Sequence, residues 1–436
     1  MNIIRSIQSL LICPLILVST MFFGQATKNK DKSTTGIHPI IQQHTKTIFD
    51  SLVEIRRDLH QYPELAGEEV RTAAKIAEYL QNLGLEVHQQ IGGNGVVAIL
   101  ETHRKGKKIA WRADIDALET DLPDVVAFES TNNGVRHICG HDIHTSIALG
   151  IANVLTKIKD KLNGIIYFIF QPAEENWQGA KAMIDDGLFE LIDPEEIYAL
   201  HLAPMPEGLI ATKVENIFAD YKMIELNFAK NKDNAELSNY IKNLINNLQN
   251  VPNDSPFWEM QTLMDSKLGL ANPNTIFKDY ITLNSAVTSK EKDDSINFYA
   301  SMCASDLTKL YSVLKQLKSK IKNSKFADKF IDIQFQEELT LVINDKDLTD
   351  KAVNTISAIY GNQSAINLHG IIPDGRSDDF SYFQQEIPGV YFLLGGSNYK
   401  KGILSMPHSP NFNVDENCIK TGVQYFSSLI AEKTKL

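Results

Sequence analysis

Short apolar segments, four of which are followed by acidic, histidine or cysteine side chains, constrain the fold of this 436-residue chain most strongly. These apolar segments predict strands, at residues 95–101, 108–112, 165–170, 197–200 and 390–394. Helical patterns separate them, and strands that alternate with helices favour an α/β fold with a central sheet flanked by helices. Because sites in open α/β sheets form beyond the carboxyl ends of the strands, the sequence predicts a site at that edge.

Charge and cysteine content exclude two other classes of protein. The chain has a formal net charge of −11 and a pI near 5.5 without a dense basic stripe, which is not the composition of a nucleic-acid-binding protein. Its four cysteines are too few for a disulfide-stabilised scaffold. Hydrophobic residues make up 43% of the chain, which is enough for a core of ordinary globular size.

The first 26 residues have the pattern of a signal peptide. Arg5 precedes an apolar run at 10–23, and Gly24 and Ala26 supply the small residues of a predicted cleavage site. The alternative is an uncleaved membrane anchor, but the run is shorter than the roughly 20 residues that a spanning helix needs. We therefore expect an exported protein, periplasmic or extracellular, without stable membrane insertion.

Residues 137–145, HICGHDIHT, hold the densest group of metal-binding side-chain types. Cys139 and His141 are two residues apart, so in an extended chain both side chains point to the same side. Thiolate, imidazole and carboxylate together suit zinc or a similar transition metal rather than calcium or magnesium. By themselves, these residues are equally compatible with a buried cysteine beside surface histidines.

Glu174 and Glu175 follow the predicted strand 165–170, and Pro172 ends that strand. Two adjacent carboxylates can divide the work, because one can bind a metal while the other takes a proton from water activated by that metal. A solvated loop is the simpler interpretation of this pair when it is considered alone.

Three other predicted strands end in the same way. Asp116 follows the second strand, His201 follows the fourth, and His408 lies beyond the fifth. Together with the glutamate pair, these residues bring ligand-type side chains from four segments to one edge of the sheet. This coincidence favours a metal site over a separate structural explanation for each segment.

Seven motifs resemble the aminoacylase–carboxypeptidase superfamily of dinuclear metallohydrolases, and within it the branch of hippurate hydrolases, N-acyl-diaminopimelate deacetylases and auxin–amino acid amidohydrolases. The motifs are RRDLHQYPELAGEE at 56–69, WRADIDALE at 111–119, HICGHDIHT at 137–145, FIFQPAEENWQGAKAMIDDGLFE at 168–190, ALHLAPMPEG at 199–208, SDDFSYF at 377–383 and HSPNFNVDE at 408–416. They occur in the family's order in both halves of the catalytic domain, which makes the resemblance specific.

The resemblance implies a metallopeptidase-type catalytic domain with two divalent ions, often manganese or zinc, that activate water for attack on an amide carbon. The metal ligands that it implies are Cys139, His141, Glu175, His201 and His408. Glu174 matches the family's general base. Asp116 is expected to orient a ligand, and His144 and His137 are expected to support the ligands without binding metal themselves.

Composition changes near residue 218, where the chain becomes rich in Lys, Asn and Asp. We expect a flexible leader at 27–45, a catalytic domain formed by 46–218 and 336–436, and an inserted smaller α/β domain at 219–335. In the family that this chain resembles, the insert acts as a lid and often forms a homodimer.

The insert departs from the family pattern, because the chain has no His between His201 and His369 and no Arg between Arg136 and Arg376. The family's insert usually supplies a His that polarises the substrate carbonyl and an Arg that binds the substrate carboxylate. One hypothesis is that Arg376 replaces this Arg from the catalytic domain. The alternative is a surface salt bridge to the aspartates that follow it, which would contribute little.

Two functions remain open from the sequence. The first is an exported, metal-dependent amidohydrolase that acts on N-acyl amino acids or short peptides. The second is a metal-retaining binding protein of the same fold whose catalysis has weakened with its insert. The complete set of ligand types and the general base favour the enzyme.

Overall fold

The computed structural model describes residues 36–230, 234–336, 340–373 and 377–435. Residues 1–35, which comprise the predicted signal peptide and the start of the predicted leader, lie outside the described residues, and so does Arg376. Within the described ranges, none of the helices combines the length and the apolar character needed to cross a membrane.

Helices and strands alternate along most of the chain, which confirms the predicted α/β class. The helices are α1 Ile37–Gln61, α2 Val70–Asn82, α3 His141–Lys157, α4 Gly179–Asp185, α5 Leu188–Leu191, α6 Asn234–Asn246, α7 Leu307–Lys322, α8 Lys346–Tyr360, α9 Phe380–Glu386 and α10 Asn417–Thr434. The strands are β1 Glu86–Ile91, β2 Gly95–Glu101, β3 Lys108–Asp114, β4 Leu118–Glu119, β5 Val135–Arg136, β6 Ile165–Gln171, β7 Glu196–Pro206, β8 Ile210–Thr212, β9 Glu215–Asn216, β10 Asp220–Ala229, β11 Ile281–Leu283, β12 Thr288–Glu291, β13 Ser295–Ala304, β14 Phe330–Gln336, β15 Ile343–Asn344, β16 Ala365–Asn367 and β17 Gly389–Ser397.

The larger sheet has eight strands in the order β1-β2-β6-β3-β7-β17-β8-β16. Its centre, β6-β3-β7-β17, is parallel, and β2 and β1 extend it as antiparallel strands. Strands of a parallel centre are covered on both faces, which explains why their sequences are continuous apolar segments. The carboxyl ends of these four strands lie at the same edge of the sheet.

Successive residues of a central strand belong to opposite layers of the core, because side chains alternate between the faces of a sheet. Phe168 lies in one apolar cluster with residues of α1, α3 and α10. Its neighbour Ile169 lies in a second cluster with residues of α4 and α9. Both side chains are fully buried, so helices flank the central sheet on both faces, as predicted.

A second sheet, with five strands, is built from the chain between Asp220 and Gln336. Its strand order is β11-β13-β10-β14, and β12 also pairs with β13. The helices α6 and α7 contribute to an apolar cluster of its own, which includes Ile224 and Phe298. These bounds lie close to those of the predicted insert, although contacts group the chain from Ile37 onward into a single compact unit.

The chain between α6 and β11, residues 247–280, leaves the second sheet and packs into the core of the larger one; we call it the clasp. Four of its aromatic and aliphatic side chains are buried in the same cluster as Ile169, namely Phe257, Leu270, Phe277 and Tyr280. The two sheets therefore share an apolar contact as well as chain connections.

Hydrogen bonds to the backbone of Ile371 reinforce the clasp. The N–H of Ile371 donates to the carbonyl of Phe277 over 2.9 Å, and the Tyr280 hydroxyl donates to the carbonyl of Ile371 over 3.1 Å. The neighbouring Gly370 allows this approach, because a Cβ at that position would lie 2.9 Å from the Cβ of Phe277.

Two local expectations from the sequence were wrong. The leader was expected to be flexible to residue 45, but α1 begins at Ile37 because Ile41 and Thr45 are buried against the rest of the molecule. His201 was expected beyond the end of a strand, but β7 continues to Pro206 because it pairs with β17 past that residue.

Candidate metal centre

Five side chains from four segments of the chain converge at the carboxyl-end edge of the larger sheet. They are Cys139 before α3, His141 at the first position of α3, Glu175 after β6, His201 within β7 and His408 after β17. These are the residues that the resemblance implies as metal ligands, and the structure brings all of them together.

The cysteine sulfur is common to the shortest contacts of the group. Cys139 Sγ is 3.2 Å from His201 Nε2 and 3.0 Å from His408 Nε2. Glu175 Oε1 is 3.3 Å from His408 Nε2 and 3.8 Å from His141 Nε2. The donors form two sets, Cys139–His141–His201 and Cys139–Glu175–His408, and within each set all ligand atoms lie within 4.8 Å of one another.

This donor set fits a pair of divalent ions. One set offers a sulfur and two nitrogens, and the other offers the same sulfur, an oxygen and a nitrogen. Such donors suit zinc and similar metals, with positions left for water or substrate. His141 Nε2 is buried and has no hydrogen-bond partner among the described residues. A buried polar atom without a partner costs roughly 1–3 kcal/mol, a cost that a bound ion removes.

Left-handed backbone positions place two of the ligand-bearing segments. Gly140 has φ +98° directly before α3, and a Cβ there would lie 2.5 Å from Leu202 Cδ1. His408 has φ +57°, and its N–H donates to the carbonyl of Ile138 over 2.8 Å. This bond ties the loop after β17 to the segment that carries Cys139. A left-handed non-glycine residue costs about 1–3 kcal/mol, so the surroundings hold His408 in place.

Glu174 lies on the turn after β6 and is buried, with its Oε2 3.7 Å from His141 Nε2. Burial, followed by the charge of Asp378, raises the pKa of Glu174 well above its usual range. Burial also acts to raise the pKa of Glu175, but the hydrogen bond with His408 and the charge of His141 outweigh it and lower this pKa to about 2. Adjacent carboxylates whose pKa values are pushed apart can take different roles.

Asp116 contacts two of the converging residues at once. Its Oδ2 accepts the backbone N–H of Glu175 over 2.9 Å. Its Oδ1 and its backbone oxygen lie 3.2 Å and 2.9 Å from His141 Nδ1. These acceptors favour the tautomer of His141 with a proton on Nδ1, which leaves Nε2 free to bind a metal.

His144 has hydrogen-bond partners at both ring nitrogens. Nδ1 lies 2.6 Å from Asp114 Oδ1, and Nε2 accepts the backbone N–H of Leu202 over 2.9 Å. His144 therefore fixes the backbone next to His201. His137 is buried, neither of its ring nitrogens has a hydrogen-bond partner in the described part of the chain, and burial lowers its pKa to about 3.

A buried ion-pair network at the end of β3, next to the metal centre, was not predicted from the sequence. Arg112 pairs with Asp114, Asp378 and Asp379 over 2.7, 3.0 and 3.1 Å, and all four side chains are buried. Burial raises the pKa of Asp379 to about 8, although the charge of Arg112 opposes this. The available sequence signal was an Arg directly after the apolar residues 109–111 of a predicted strand.

Comparison with known proteins places this site in a family. The model of Peptidase family M20/M25/M40 matches residues 110–432. Thermostable carboxypeptidase 2 from Saccharolobus solfataricus is 31% identical over 402 residues, which cover 88% of this chain and 95% of that protein. N-acetyldiaminopimelate deacetylase from Lactococcus lactis subsp. cremoris is 29% identical over 388 residues, which cover 86% of this chain and 96% of that protein.

A solved structure agrees with these relatives. The crystal structure of the Bacillus subtilis YXEP protein, described as a dinuclear metal binding peptidase from the M20 family, matches with a TM-score of 0.69 and 25% identity, covering 89% of this chain and 98% of that one. The fold, the order of the motifs and the converging side chains agree with these findings, and the resemblance stated from the sequence is confirmed. The chain belongs to peptidase family M20/M25/M40.

Proposed function

We propose that this protein is a metal-dependent amidohydrolase that cleaves the amide bond of N-acyl amino acids or short peptides. As a member of its family it is a hydrolase of amide bonds. The observation that carries the finer proposal is the convergence of five donor side chains beside the buried carboxylate of Glu174. A general base next to a metal site is the arrangement that hydrolysis by activated water requires.

In this proposal the ligands of two divalent ions are Cys139, His141, Glu175, His201 and His408. The ions, when bound, polarise the scissile carbonyl and lower the pKa of water toward about 7. Glu174 takes the proton of the attacking water and passes it to the leaving amine, since its carboxylate lies 3.7 Å from His141 Nε2. Asp116 keeps His141 and Glu175 in their orientations through the contacts described above.

Manganese or zinc is the metal we propose. Thiolate and imidazole donors favour zinc, whereas a carboxylate donor is also suited to manganese. Mass spectrometry of the metals in the purified protein, together with reconstitution by each ion, distinguishes the two.

Arg376 is our candidate for binding the substrate carboxylate. The chain has no Arg from residue 137 to residue 375, so the insert at 219–335 contains no guanidinium that could bind this carboxylate. Asp378, two residues further along the chain, pairs with Arg112 below the site. Replacement of Arg376 by Ala is expected to raise KM, and an unchanged KM would remove Arg376 from this role.

Turnover is the deciding test. The mature chain, loaded with manganese or zinc, is assayed on N-acetyl and N-benzoyl amino acids and on dipeptides by amine release. We expect Glu174→Gln to reduce turnover about 10²- to 10⁴-fold with the metal content unchanged, because it removes the general base. Glu190→Gln, at an exposed position, serves as the control. Bound metal without amine release from any substrate would contradict the proposal and favour a metal-binding protein.

We further propose that residues 1–26 are removed on export to the periplasm or the extracellular space. We also propose that residues 219–335 act as an inserted lid-like domain that forms a homodimer. The pattern of residues 1–26 and the separate sheet of the insert support these two proposals. An N-terminus that still starts at Met1 in the exported protein, or a monomer in sedimentation, would contradict them.

A further inference from the structure

The turn that carries Glu174 is attached to a carboxylate from a distant part of the chain. Glu69, directly before α2, is fully buried. Its Oε1 accepts the N–H of Ala173 over 2.8 Å and that of Gly67 over 2.8 Å, and Asn94 Nδ2 donates to its Oε2 over 3.0 Å. A side chain 104 residues earlier in the sequence thus holds the residue directly before Glu174.

Ala173 needs this support because its backbone is left-handed, with φ +53°. For a residue other than glycine this conformation costs about 1–3 kcal/mol and persists where its surroundings hold it. The carbonyl of Ala173 accepts the N–H groups of Gln178 and Gly179 over 3.2 Å and 3.0 Å. The peptide groups on both sides of Ala173 are therefore fixed, and with them the direction in which the chain enters Glu174.

The other side of Glu174 is held in a similar way. Asp116 accepts the N–H of Glu175 over 2.9 Å. The amides before and after that of Glu174 are therefore each bound by a buried carboxylate, one from Glu69 and one from Asp116. Hydrogen bonds to a charged acceptor are stronger than those between neutral groups, which suits this task.

We propose that Glu69 is a positioning residue for hydrolysis, which holds Ala173 in its left-handed conformation and so directs Glu174 toward the reacting atoms. The inference rests on the proposed function, in which Glu174 is the general base. A displacement of about 1 Å at a catalytic group can cost about 100-fold in rate, so an acceptor outside the metal centre can control turnover.

Three variants test the inference in the metal-loaded enzyme. Glu69→Met removes the acceptor at similar side-chain length, Glu69→Gln keeps an acceptor oxygen, and Glu68→Met changes the exposed neighbouring glutamate as a matched control. We expect Glu69→Met to lower kcat about 10- to 100-fold, with KM within about threefold and the metal content unchanged. Glu69→Gln and Glu68→Met are expected to stay within about threefold of the parent kcat.

A second readout does not depend on turnover. Hydrogen exchange of a peptide covering residues 172–179 is expected to accelerate in Glu69→Met and to stay slow in Glu69→Gln, because only the former frees the N–H of Ala173. Should Glu69→Met not fold, Glu69→Asp, which retracts the acceptor by one methylene, gives the same comparison.

The outcomes separate this inference from the proposed function. A parent enzyme that is active while Glu69→Met keeps both its kcat and its slow exchange overturns the role of Glu69 and leaves the function intact. A loss in Glu69→Gln as large as that in Glu69→Met also overturns it, because the acceptor oxygen is then not what matters. A parent protein without turnover rejects the proposed function, and the exchange rates alone then decide whether Glu69 holds the turn.

Discussion

At the scale of single residues, buried acceptors that contact the donor side chains shape this site as much as the donors themselves. Asp116 binds His141 and the backbone of Glu175, and Asp114 binds His144. Each of these contacts fixes a ring orientation, a tautomer or a backbone amide. The site is therefore preorganised, which reduces the conformational cost of binding an ion.

Replacement of Asp116 by Ala tests this organisation. The change removes Oδ1 from His141 Nδ1, which keeps only the backbone oxygen of residue 116, and it removes the acceptor of the N–H of Glu175. We therefore expect metal affinity to fall about 10- to 100-fold. Competition with a chelating dye measures the affinity, and Asp121→Ala, at an exposed position, is the control. Equal affinities in the two variants would show that Asp116 does not support the ligands.

At the scale of elements, α1 anchors the first turn of α3 behind the site. Arg56 Nε lies 2.8 Å from Asp142 Oδ2, and His60 Nδ1 lies 2.9 Å from the same oxygen. His60 Nε2 lies 3.1 Å from Asp124 Oδ2, so the ring joins two acidic residues from different segments. Asp142 directly follows His141, and the packing of α1 therefore reaches the metal centre.

This anchor gives stability a specific dependence on pH. Burial lowers the pKa of His60, but the hydrogen bonds with Asp124 and Asp142 outweigh it and raise this pKa above 6.5. Because the folded pKa exceeds the unfolded one, the contribution of His60 is complete below about pH 6.5 and is lost as the pH rises through the folded pKa. We expect the stability difference between the parent and His60→Gln to be larger at about pH 6 than at about pH 9.

Urea unfolding in the presence of a chelator measures that difference without the pH dependence of metal binding. His103→Gln, which changes an exposed histidine, is the control and should show no such trend. A difference that grows with pH would mean that His60 is neutral in the folded protein.

The elements and the site differ in how far the sequence could predict them. Buried parallel strands appear as continuous apolar segments, and the glutamate pair stands out by residue type after one of them. Cys139 and His141 stand out in the dense segment 137–145. Arg112 and Asp378 could not be linked from the sequence, because 266 residues separate them and neither lies in a periodic pattern. The same holds for Glu69, which belongs to a quoted motif but finds its partner 104 residues later.

At the scale of the whole molecule, the clasp joins the second sheet to the core of the first. Phe277 and Tyr280 are fully buried in the cluster that also holds Ile169 of β6. They hydrogen-bond to Ile371, seven residues before Asp378 in the sequence. The two sheets are therefore expected to unfold together rather than as independent units.

Phe277→Ala tests this coupling. Loss of a fully buried aromatic side chain is expected to cost about 3–5 kcal/mol in the free energy of unfolding. Met260→Ala, at an exposed position of the same clasp, is expected to stay within about 0.5 kcal/mol. Urea curves followed by circular dichroism and by tryptophan fluorescence should coincide, and two separate transitions would show that the sheets unfold independently.

The close approach at Gly370 limits how this protein can be recombined with its relatives. A Cβ at that position would lie 2.9 Å from both Leu270 Cδ2 and Phe277 Cβ, so each side of the contact is shaped for the other. A chimera that exchanges residues 219–335 for the corresponding segment of another hydrolase must therefore also exchange the loop around Ile371. Excision of the insert to obtain a shorter enzyme would instead expose the apolar surface that the clasp covers and favour aggregation.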